Sequence, residues 1–350
     1  MDHNFVPCRQ QYTFEQIKLN AVLNLFRSNQ LILGVFLLGY ALILRFWLLF
    51  AAEPTKIDPD FHLLSNWLWN ELKEPIWLPA LATSLIIWIQ ALLINSVVAR
   101  NRMATEINLF PGLFYILVCS ALPVFQEFSP IHLANTFLII ALGQIYRIYK
   151  QNRCMDNLFN AGLVIGLASL FYSPYILFLL PILFGLNSLR AFSLREWMAV
   201  IIGGAIPLLW LLIFGFLNDN LALRWDAWTS QLSFMDIQWR ALRQYEIIGL
   251  LIMAALIVAV VLNYNANIQK TIIEVRKKID MLYWILFFGL VVTIFSASVG
   301  MVNLLTVALP CGILLSFMFT RMSRANAELV HLFLLIGVLV YHYLTFAGVL

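Results

Sequence analysis

Three charged residues near the end of the first long apolar run carry the clearest chemical signal in this sequence. Arg45 lies inside the run Leu31–Ala52, and Asp58 and Asp60 follow just beyond its end. A guanidinium can hold a phosphate through two parallel hydrogen bonds, and a carboxylate can take the proton of an acceptor hydroxyl. The spacing therefore predicts an anion-binding arginine beside two candidate catalytic acids.

Arg45 also has a purely structural interpretation. A long cationic side chain near the end of a membrane helix can extend to the lipid head groups or form an ion pair within the protein. A charge inside a membrane span is costly, however, and usually faces a cavity or a partner, which makes it an indicator of function. The sequence leaves both interpretations open.

Glu127 and His132 are further candidates for the same site. They flank the start of a later apolar run, and we expect them to help Arg45 bind a substrate phosphate. With Asp58 and Asp60 they could ligate a divalent cation. Nothing in their spacing requires a metal, and residues of a solvated loop are the simpler interpretation. No other cofactor is predicted, because the sequence has no glycine-rich phosphate loop, dinucleotide fingerprint or zinc-protease motif.

The composition places these residues in a membrane protein. Hydrophobic residues make up 62% of the chain and charged residues only 11%, whereas soluble domains carry about 25% charged residues. The apolar runs have roughly the length that crosses a hydrocarbon core. We predict an all-α, polytopic transmembrane helical bundle of about eleven spans. The predicted spans are 31–52, 77–98, 109–124, 131–149, 158–172, 175–189, 197–217, 245–263, 281–298, 302–320 and 329–349.

The distribution of basic residues predicts the orientation of this bundle. Cytoplasmic loops of membrane proteins are enriched in Lys and Arg. With the N terminus inside and the C terminus outside, most basic residues fall in cytoplasmic segments. The outer segments then hold only Lys56, Lys73, Arg224, Arg240 and Arg243, and they are acidic overall. Polar chemistry would therefore most naturally occur on the outer face.

The spans divide the chain into four predicted segments. Residues 1–30 form a cytoplasmic amphipathic segment, and residues 31–217 form a transmembrane core that includes an outer loop at 53–76. Residues 218–244 form an outer interfacial loop, and residues 245–350 form the C-terminal transmembrane helices.

Small and basic residues suggest how the helices pack and where they end. Gly162 and Gly166 lie four residues apart, a spacing that permits close helix packing. The pair Gly203–Gly204 with Pro207 predicts a kink or a packing notch. The basic cluster Arg276–Lys278 is expected to anchor the topology and to contact anionic lipid.

Most of the chain resembles an uncharacterised family of multi-spanning inner-membrane proteins found in Bacteroidota. The stretches that carry the resemblance are Leu23–Phe50, Gln90–Arg102 and Leu158–Pro181. This resemblance implies a multi-pass protein of the bacterial inner membrane and implies no particular activity.

More remotely, the first two thirds of the chain resemble the GT-C glycosyltransferases, which use polyprenyl-phosphate sugars. Arg45-Phe46-Trp47 followed by Asp58-Pro59-Asp60 is similar to their arginine-led aromatic run and catalytic outer loop. Ala161–Ala168 is similar to their glycine-bearing fifth span, and Arg195-Glu196-Trp197 leading to Pro207 fits the same plan. The resemblance implies a GT-C-like fold in this part of the chain.

The sequence also departs from the GT-C pattern. Pro59 interrupts the usual adjacent acid pair, and His132 and Asn135 occupy the region where a second acid often opens the fourth span. Tyr172 stands where a basic residue often ends the fifth span. Loss of a cation and a carboxylate would remove much of the electrostatic stabilisation that glycosyl transfer needs.

Two functional hypotheses of about equal weight follow. The first is assembly of envelope glycans or glycolipids from a lipid-phosphate-linked sugar, with Asp58 and Asp60 as catalytic residues and Arg45, Glu127 and His132 as substrate-binding residues. The second is a non-catalytic scaffold or assembly partner of an envelope machine. A lipid or small-solute transporter is disfavoured, because mid-span polar residues are scarce. The expected partners are membrane lipids, a polyprenyl-phosphate sugar and other envelope membrane proteins, and no nucleic acid.

Overall fold

The computed structural model describes residues 22–28, 30–49, 77–104, 106–149, 151, 153–189, 192–232, 244–269, 271–295 and 301–348. Within these ranges the chain forms helices and no strand, which confirms the all-α class. The α-helices are α1 Val22–Phe26, α2 Leu31–Leu44, α3 Phe46–Leu49, α4 Leu78–Arg100, α5 Phe110–Val118, α6 Pro130–Arg147, α7 Met155–Phe171, α8 Leu179–Leu189, α9 Leu194–Leu217, α10 Leu221–Thr229, α11 Gln244–Leu262, α12 Tyr264–Ile268, α13 Ile273–Ile294, α14 Ala308–Arg321 and α15 Arg324–Phe346. Three 3₁₀ segments interrupt them at Pro123–Gln126, Ser173–Phe178 and Met301–Val307.

Several of these helices identify the chain as a membrane protein. In the described part of the chain, α4, α9, α11, α15 and the stretch Met301–Arg321 are long and apolar enough to cross a bilayer. Other predicted spans contain shorter helices. The 14 residues of α2 extend about 21 Å, which is less than the roughly 30 Å of a hydrocarbon core. Five helices therefore meet the length and composition criteria, and the larger span count stays a prediction.

Helix α5 lies at the centre of the bundle. All of its nine residues are buried, and it packs against α4 and α14. The backbone N–H of Gly112 donates to Asn95 Oδ1 of α4 at 2.7 Å. On the opposite side, a Cβ added at Gly312 would meet the Tyr115 backbone at 2.7 Å. The backbones of α5 and α14 thus lie in direct contact, because glycine leaves room for the approach.

A second close contact joins α7 to α9 and confirms the predicted packing role of the glycines. A Cβ at Gly162 would overlap with the Val200 carbonyl, and one at Gly166 would overlap with the Gly204 carbonyl. Pro207 packs beside Gly166 within the same seam. Small residues here allow the two backbones to pack without intervening side chains.

The first apolar run, which is predicted as the span 31–52, is not one continuous helix over its described residues. Helix α2 ends at Leu44, Arg45 takes a non-helical conformation with φ −108° and ψ 12°, and α3 begins at Phe46. The regular helical hydrogen bonding is therefore interrupted at the buried charge. Such a break is tolerated at membrane depth only where protein groups satisfy the freed backbone.

Candidate functional site

Arg45 lies in the interior of the bundle and not among lipid head groups. Its side chain is 1% exposed. One guanidinium nitrogen, Nη2, donates to the Cys119 carbonyl and to the Phe125 carbonyl, each at 3.1 Å. The arginine thus faces the bundle, as a charge in a membrane span is expected to do.

The two acceptor carbonyls explain why Arg45 points inward. Cys119 caps the C-terminal end of α5, and Phe125 lies in the 3₁₀ segment Pro123–Gln126. The last carbonyls of a helix have no partner within that helix and carry partial negative charge. Arg45 therefore supplies hydrogen bonds to carbonyls of two segments in which the helical pattern is interrupted. These bonds link both segments to the break between α2 and α3.

The rest of the guanidinium has no hydrogen-bond partner among the residues that the structure describes. Arg45 Nε and Nη1 are buried and make no hydrogen bond. Among the described residues the ion pair that forms is Lys278–Glu274, so no carboxylate there neutralises Arg45. A buried charge without a counter-ion is costly. The three N–H groups on Nε and Nη1 are charged donors of the kind that a phosphate or carboxylate ligand accepts.

His132 lies beside Arg45. Its Nε2 donates to the Phe125 carbonyl at 3.0 Å, the same oxygen that accepts from Arg45. The two nitrogens are therefore at most about 6 Å apart. A carbonyl only accepts hydrogen bonds, so Nε2 carries the proton and Nδ1 of a neutral ring is an acceptor. That Nδ1 is buried and unpartnered.

The interpretation of His132 as a solvated loop residue is wrong. Its side chain is fully buried in the first turn of α6. Pro130 opens this helix and the Ser129 hydroxyl accepts from the Ile131 N–H at 3.3 Å, which fixes where α6 starts. The cap places His132 on the inner face, beside the end of α5.

Glu127 belongs to the same loop, but its carboxylate is not joined to Arg45. The side chain is half-buried, and burial raises the pKa of the Glu127 carboxyl above its ordinary value of 4.5. A neighbouring arginine would lower that pKa. Of the three residues predicted to bind a phosphate, the structure brings Arg45 and His132 together and leaves the Glu127 carboxylate apart.

Two residues of the site were not expected from the sequence. Gln126 Nε2 donates to the Leu44 carbonyl at 2.8 Å and also contacts the His342 ring of α15. Gln126 and His342 therefore tie the α2–α3 break to the last helix. We call Arg45, Gln126, His132 and His342 the Arg45 cluster. An isolated polar residue in an apolar stretch is the only sequence signal that could have marked them.

Polar contacts continue from this cluster into the bundle. Tyr175 OH donates to Asn135 Oδ1 at 2.8 Å, and Asn135 Nδ2 donates to the Leu305 carbonyl at 3.1 Å. Tyr172 OH donates to Asn303 Oδ1 at 3.0 Å. Asn135 and Tyr172 thus help to tie two 3₁₀ segments together as neutral core residues.

Asp58, Asp60 and the outer loop at 53–76 lie outside the described residues, as do residues 1–21 of the N-terminal segment. In the ranges that are described, no three His, Cys, Asp or Glu side chains lie close enough to hold a metal ion. Part of the outer loop at 218–244 is helical: α10 docks through Trp228, whose Nε1 donates to the Ser169 carbonyl at 3.1 Å.

A family model described as a family of unknown function (DUF6427) matches residues 63–349. The chain belongs to this family. The match begins before α4 and extends through α15, so it includes Glu127, His132 and His342 but not Arg45. A search of curated proteins and a search of solved structures each found no match. Membership of an uncharacterised family is thereby confirmed, and the GT-C resemblance stays a prediction.

This DUF6427 chain also has a buried cation at the other end of α6. Lys278 of α13 is 2% exposed. Its Nζ donates to Glu274 Oε1 at 2.6 Å and to Asn101 Oδ1 at 3.1 Å. The expected contact of Lys278 with anionic lipid is therefore wrong. Glu274 lies one helical turn earlier on the same face, so the pair forms within one helix.

Proposed function

We propose that this chain is a multi-pass protein of the bacterial inner membrane, with its N terminus inside and its C terminus outside, that helps to assemble envelope glycans or glycolipids. In this proposal its substrate is a sugar linked to a lipid phosphate, and its core is GT-C-like. The observation that carries the proposal is the buried guanidinium of Arg45, whose Nε and Nη1 have no hydrogen-bond partner among the described residues.

The proposed chemistry assigns a role to each residue. Arg45 would bind the phosphate of the lipid carrier, and Asp58 or Asp60 would accept the proton of an acceptor hydroxyl. The acceptor oxygen then forms a bond to the anomeric carbon of the sugar, and the bond from that carbon to the phosphate breaks. The electron pair leaves with the lipid phosphate, whose added charge Arg45 stabilises. His132 Nδ1 would accept a hydrogen bond from a substrate hydroxyl.

The test is transfer of labelled sugar from a polyprenyl-phosphate donor by the purified full chain in liposomes. The double variant Asp58→Asn/Asp60→Asn should lose transfer by at least about 100-fold, because general-base catalysis contributes that much. The matched control is Asp219→Asn/Asp226→Asn, which alters two exposed acids beside and within α10 and should retain activity. Full activity of the Asp58/Asp60 double variant would overturn the catalytic proposal.

A non-catalytic scaffold is the second candidate, and one observation favours it. Arg45 Nη2 already bridges two backbone carbonyls, a bond that serves the fold without a ligand. A scaffold predicts reproducible copurification of another membrane protein in mild detergent, with no transfer by the chain alone. Purification as a lone monomer in every detergent tried would count against this candidate.

A further inference from the structure

Gln126 ends the 3₁₀ segment Pro123–Gln126, and its side chain reaches the break between α2 and α3. The residue is buried, with 4% of its surface exposed. Its Nε2 donates to the Leu44 carbonyl at 2.8 Å. Leu44 is the last residue of α2, and the last carbonyls of a helix have no partner within that helix. Gln126 therefore supplies a hydrogen bond that the interrupted helix cannot make for itself.

The same short segment also holds the other end of Arg45. Phe125 directly precedes Gln126, and its carbonyl accepts from Arg45 Nη2 at 3.1 Å. The Leu44 carbonyl, to which Gln126 donates, belongs to the peptide group that joins Leu44 to Arg45. Two adjacent residues thus fix Arg45 at its backbone and at the head of its side chain. The position of the guanidinium in the bundle depends on both contacts.

His342 of α15 holds the amide of Gln126 in place. The histidine is buried, and one of its ring nitrogens contacts Gln126 Nε2. An amide nitrogen carries two N–H groups, and a neutral imidazole has one nitrogen that accepts. One N–H can therefore donate to the Leu44 carbonyl and the other to the His342 ring. Rotation of the amide would break both hydrogen bonds.

A guanidinium that is fixed before a ligand arrives binds that ligand more tightly. An arginine side chain has many rotamers and loses conformational entropy when it is immobilised. Two backbone carbonyls already hold Nη2 of Arg45, while Nε and Nη1 have no hydrogen-bond partner among the described residues. An anion that accepts from these nitrogens would meet a side chain whose immobilisation has already taken place in folding.

We propose that Gln126 is a positioning residue for Arg45, and that His342 in turn orients the Gln126 amide. The inference rests on the proposed function, because it concerns how the phosphate of the lipid carrier is held. Gln126 is assigned no contact with the substrate. It bonds to the backbone immediately before Arg45, so its effect on phosphate binding passes through the guanidinium.

The test is equilibrium binding of radiolabelled dioleoyl phosphatidic acid, a lipid with a phosphate head group, to the detergent-purified full chain. Gln126→Leu removes the amide at a similar side-chain volume. It should weaken binding at least about tenfold, since a misplacement of about 1 Å can cost roughly 100-fold in an active site. Binding of neutral dioleoylglycerol should stay unchanged. A melting transition measures the stability of each variant.

Asn267→Leu is the matched control for a loss of stability. Asn267 is also buried, and its Nδ2 donates to the Tyr283 hydroxyl at 3.0 Å. It lies in α12, where its backbone carbonyl accepts from Arg321 of the last turn of α14. Asn267→Leu should lower the melting transition as Gln126→Leu does, yet leave phosphatidic acid binding within about twofold, as expected of a distant, independent site.

A double-mutant cycle shows whether Gln126 acts through Arg45. Arg45→Gln should itself weaken phosphatidic acid binding at least about tenfold. Addition of Gln126→Leu should then change binding by no more than about twofold, because the group that Gln126 positions is already absent. If Gln126→Leu fails to fold, His342→Phe decides the result, since it removes only the second contact of the amide. It should weaken binding less than Gln126→Leu.

Three outcomes would overturn the inference. Normal phosphatidic acid binding by a destabilised but folded Gln126→Leu would leave Gln126 a purely structural role. Equal losses of binding in Gln126→Leu and Asn267→Leu would show that affinity follows stability. Additive losses in the double variant would show that Gln126 acts independently of Arg45.

The same measurements separate this inference from the proposed catalysis. The expected pattern of binding in a chain that transfers no sugar would support the positioning role and count against catalysis alone. Sugar transfer by a chain in which Gln126→Leu binds normally would overturn the positioning role alone. Failure of the wild-type chain to bind phosphatidic acid would overturn both the positioning role and the phosphate site at Arg45.

Discussion

Arg45 and Lys278 are both buried cations, yet their surroundings differ. Lys278 has a carboxylate at 2.6 Å and an amide oxygen at 3.1 Å. Arg45 has two carbonyl oxygens at 3.1 Å, and two of its nitrogens have no partner within the described part of the chain. They lie at opposite ends of α6, since His132 in its first turn shares an acceptor with Arg45 and Tyr146 in its last turn donates to the Lys278 carbonyl.

This difference indicates that Lys278 is a structural charge, whereas Arg45 is available to a ligand. The Lys278 pair forms within one helix, and its hydrogen-bonding needs are met by the protein. Arg45 receives its acceptors from two interrupted segments and has no counter-ion in the described part of the chain. An unneutralised charge inside a membrane protein is costly, so its retention suggests a role beyond folding. Three comparisons of variants test the contrast.

The largest expected effect follows removal of the counter-ion of Lys278. Glu274→Gln leaves a buried ammonium without its carboxylate and should lower the free energy of unfolding by about 2 kcal/mol, less than for a fully buried pair because Glu274 is 40% exposed. Arg45→Met should change stability by less than about 1 kcal/mol, since it removes an uncompensated charge together with two hydrogen bonds. The measurement is the thermal midpoint in detergent.

The double variant Glu274→Gln/Lys278→Met is the control for that comparison. Removal of both charges should restore most of the stability that Glu274→Gln loses, because no buried charge is left unpaired. A large loss of stability from Arg45→Met alone would contradict the proposed difference between the two cations. It would show that the fold depends on the charge of Arg45 as it does on that of Lys278.

The second effect concerns binding. Arg45→Lys keeps the charge but loses the planar fork, so phosphatidic acid binding should fall roughly tenfold with little change in stability. Arg321→Lys is a matched control, because Arg321 also donates from Nη2 to a backbone carbonyl, that of Asn267, at 3.0 Å. Its phosphatidic acid binding should stay unchanged. Equal losses in both variants would show that Arg45 has no special role in the binding of anions.

The sequence predicted some of these features for identifiable reasons. A charge in an apolar run is conspicuous, so the sequence marks Arg45, and glycines four residues apart predict a close helix contact on α7, which the structure places against α9. The break after Leu44 could not be predicted, because no proline or glycine marks it. It depends on acceptors at Cys119 and Phe125, which are distant in sequence and reach Arg45 only through tertiary packing.

The errors have a common physical origin. A basic cluster predicts that Lys278 lies at the membrane surface, and composition does not reveal that Glu274 and Asn101 hydrogen-bond to it. The loop before His132 predicts a solvated side chain, whereas the Ser129 cap turns His132 inward. In both cases the neighbours that decide burial come from packing, which a linear pattern does not record.

The smallest expected effect tests whether Arg45 truly lacks an acidic partner. Glu127 is the acid nearest to the Arg45 cluster among the described residues of that loop. Because burial raises the pKa of the Glu127 carboxyl above 4.5, the folded state favours its neutral form. Its contribution to stability is therefore fully present below its unfolded pKa and is lost as the pH rises through the folded pKa.

Glu127→Gln should consequently raise the thermal midpoint slightly at pH 7, because burial disfavours the ionised carboxylate that the unfolded state adopts at that pH. The difference should shrink as the pH falls below the ordinary pKa of 4.5, where the carboxyl becomes protonated in both states. If Glu127 were instead the counter-ion of Arg45, its pKa would be lowered. The same substitution would then reduce the midpoint at pH 7, and that result would make Arg45 a paired structural charge like Lys278.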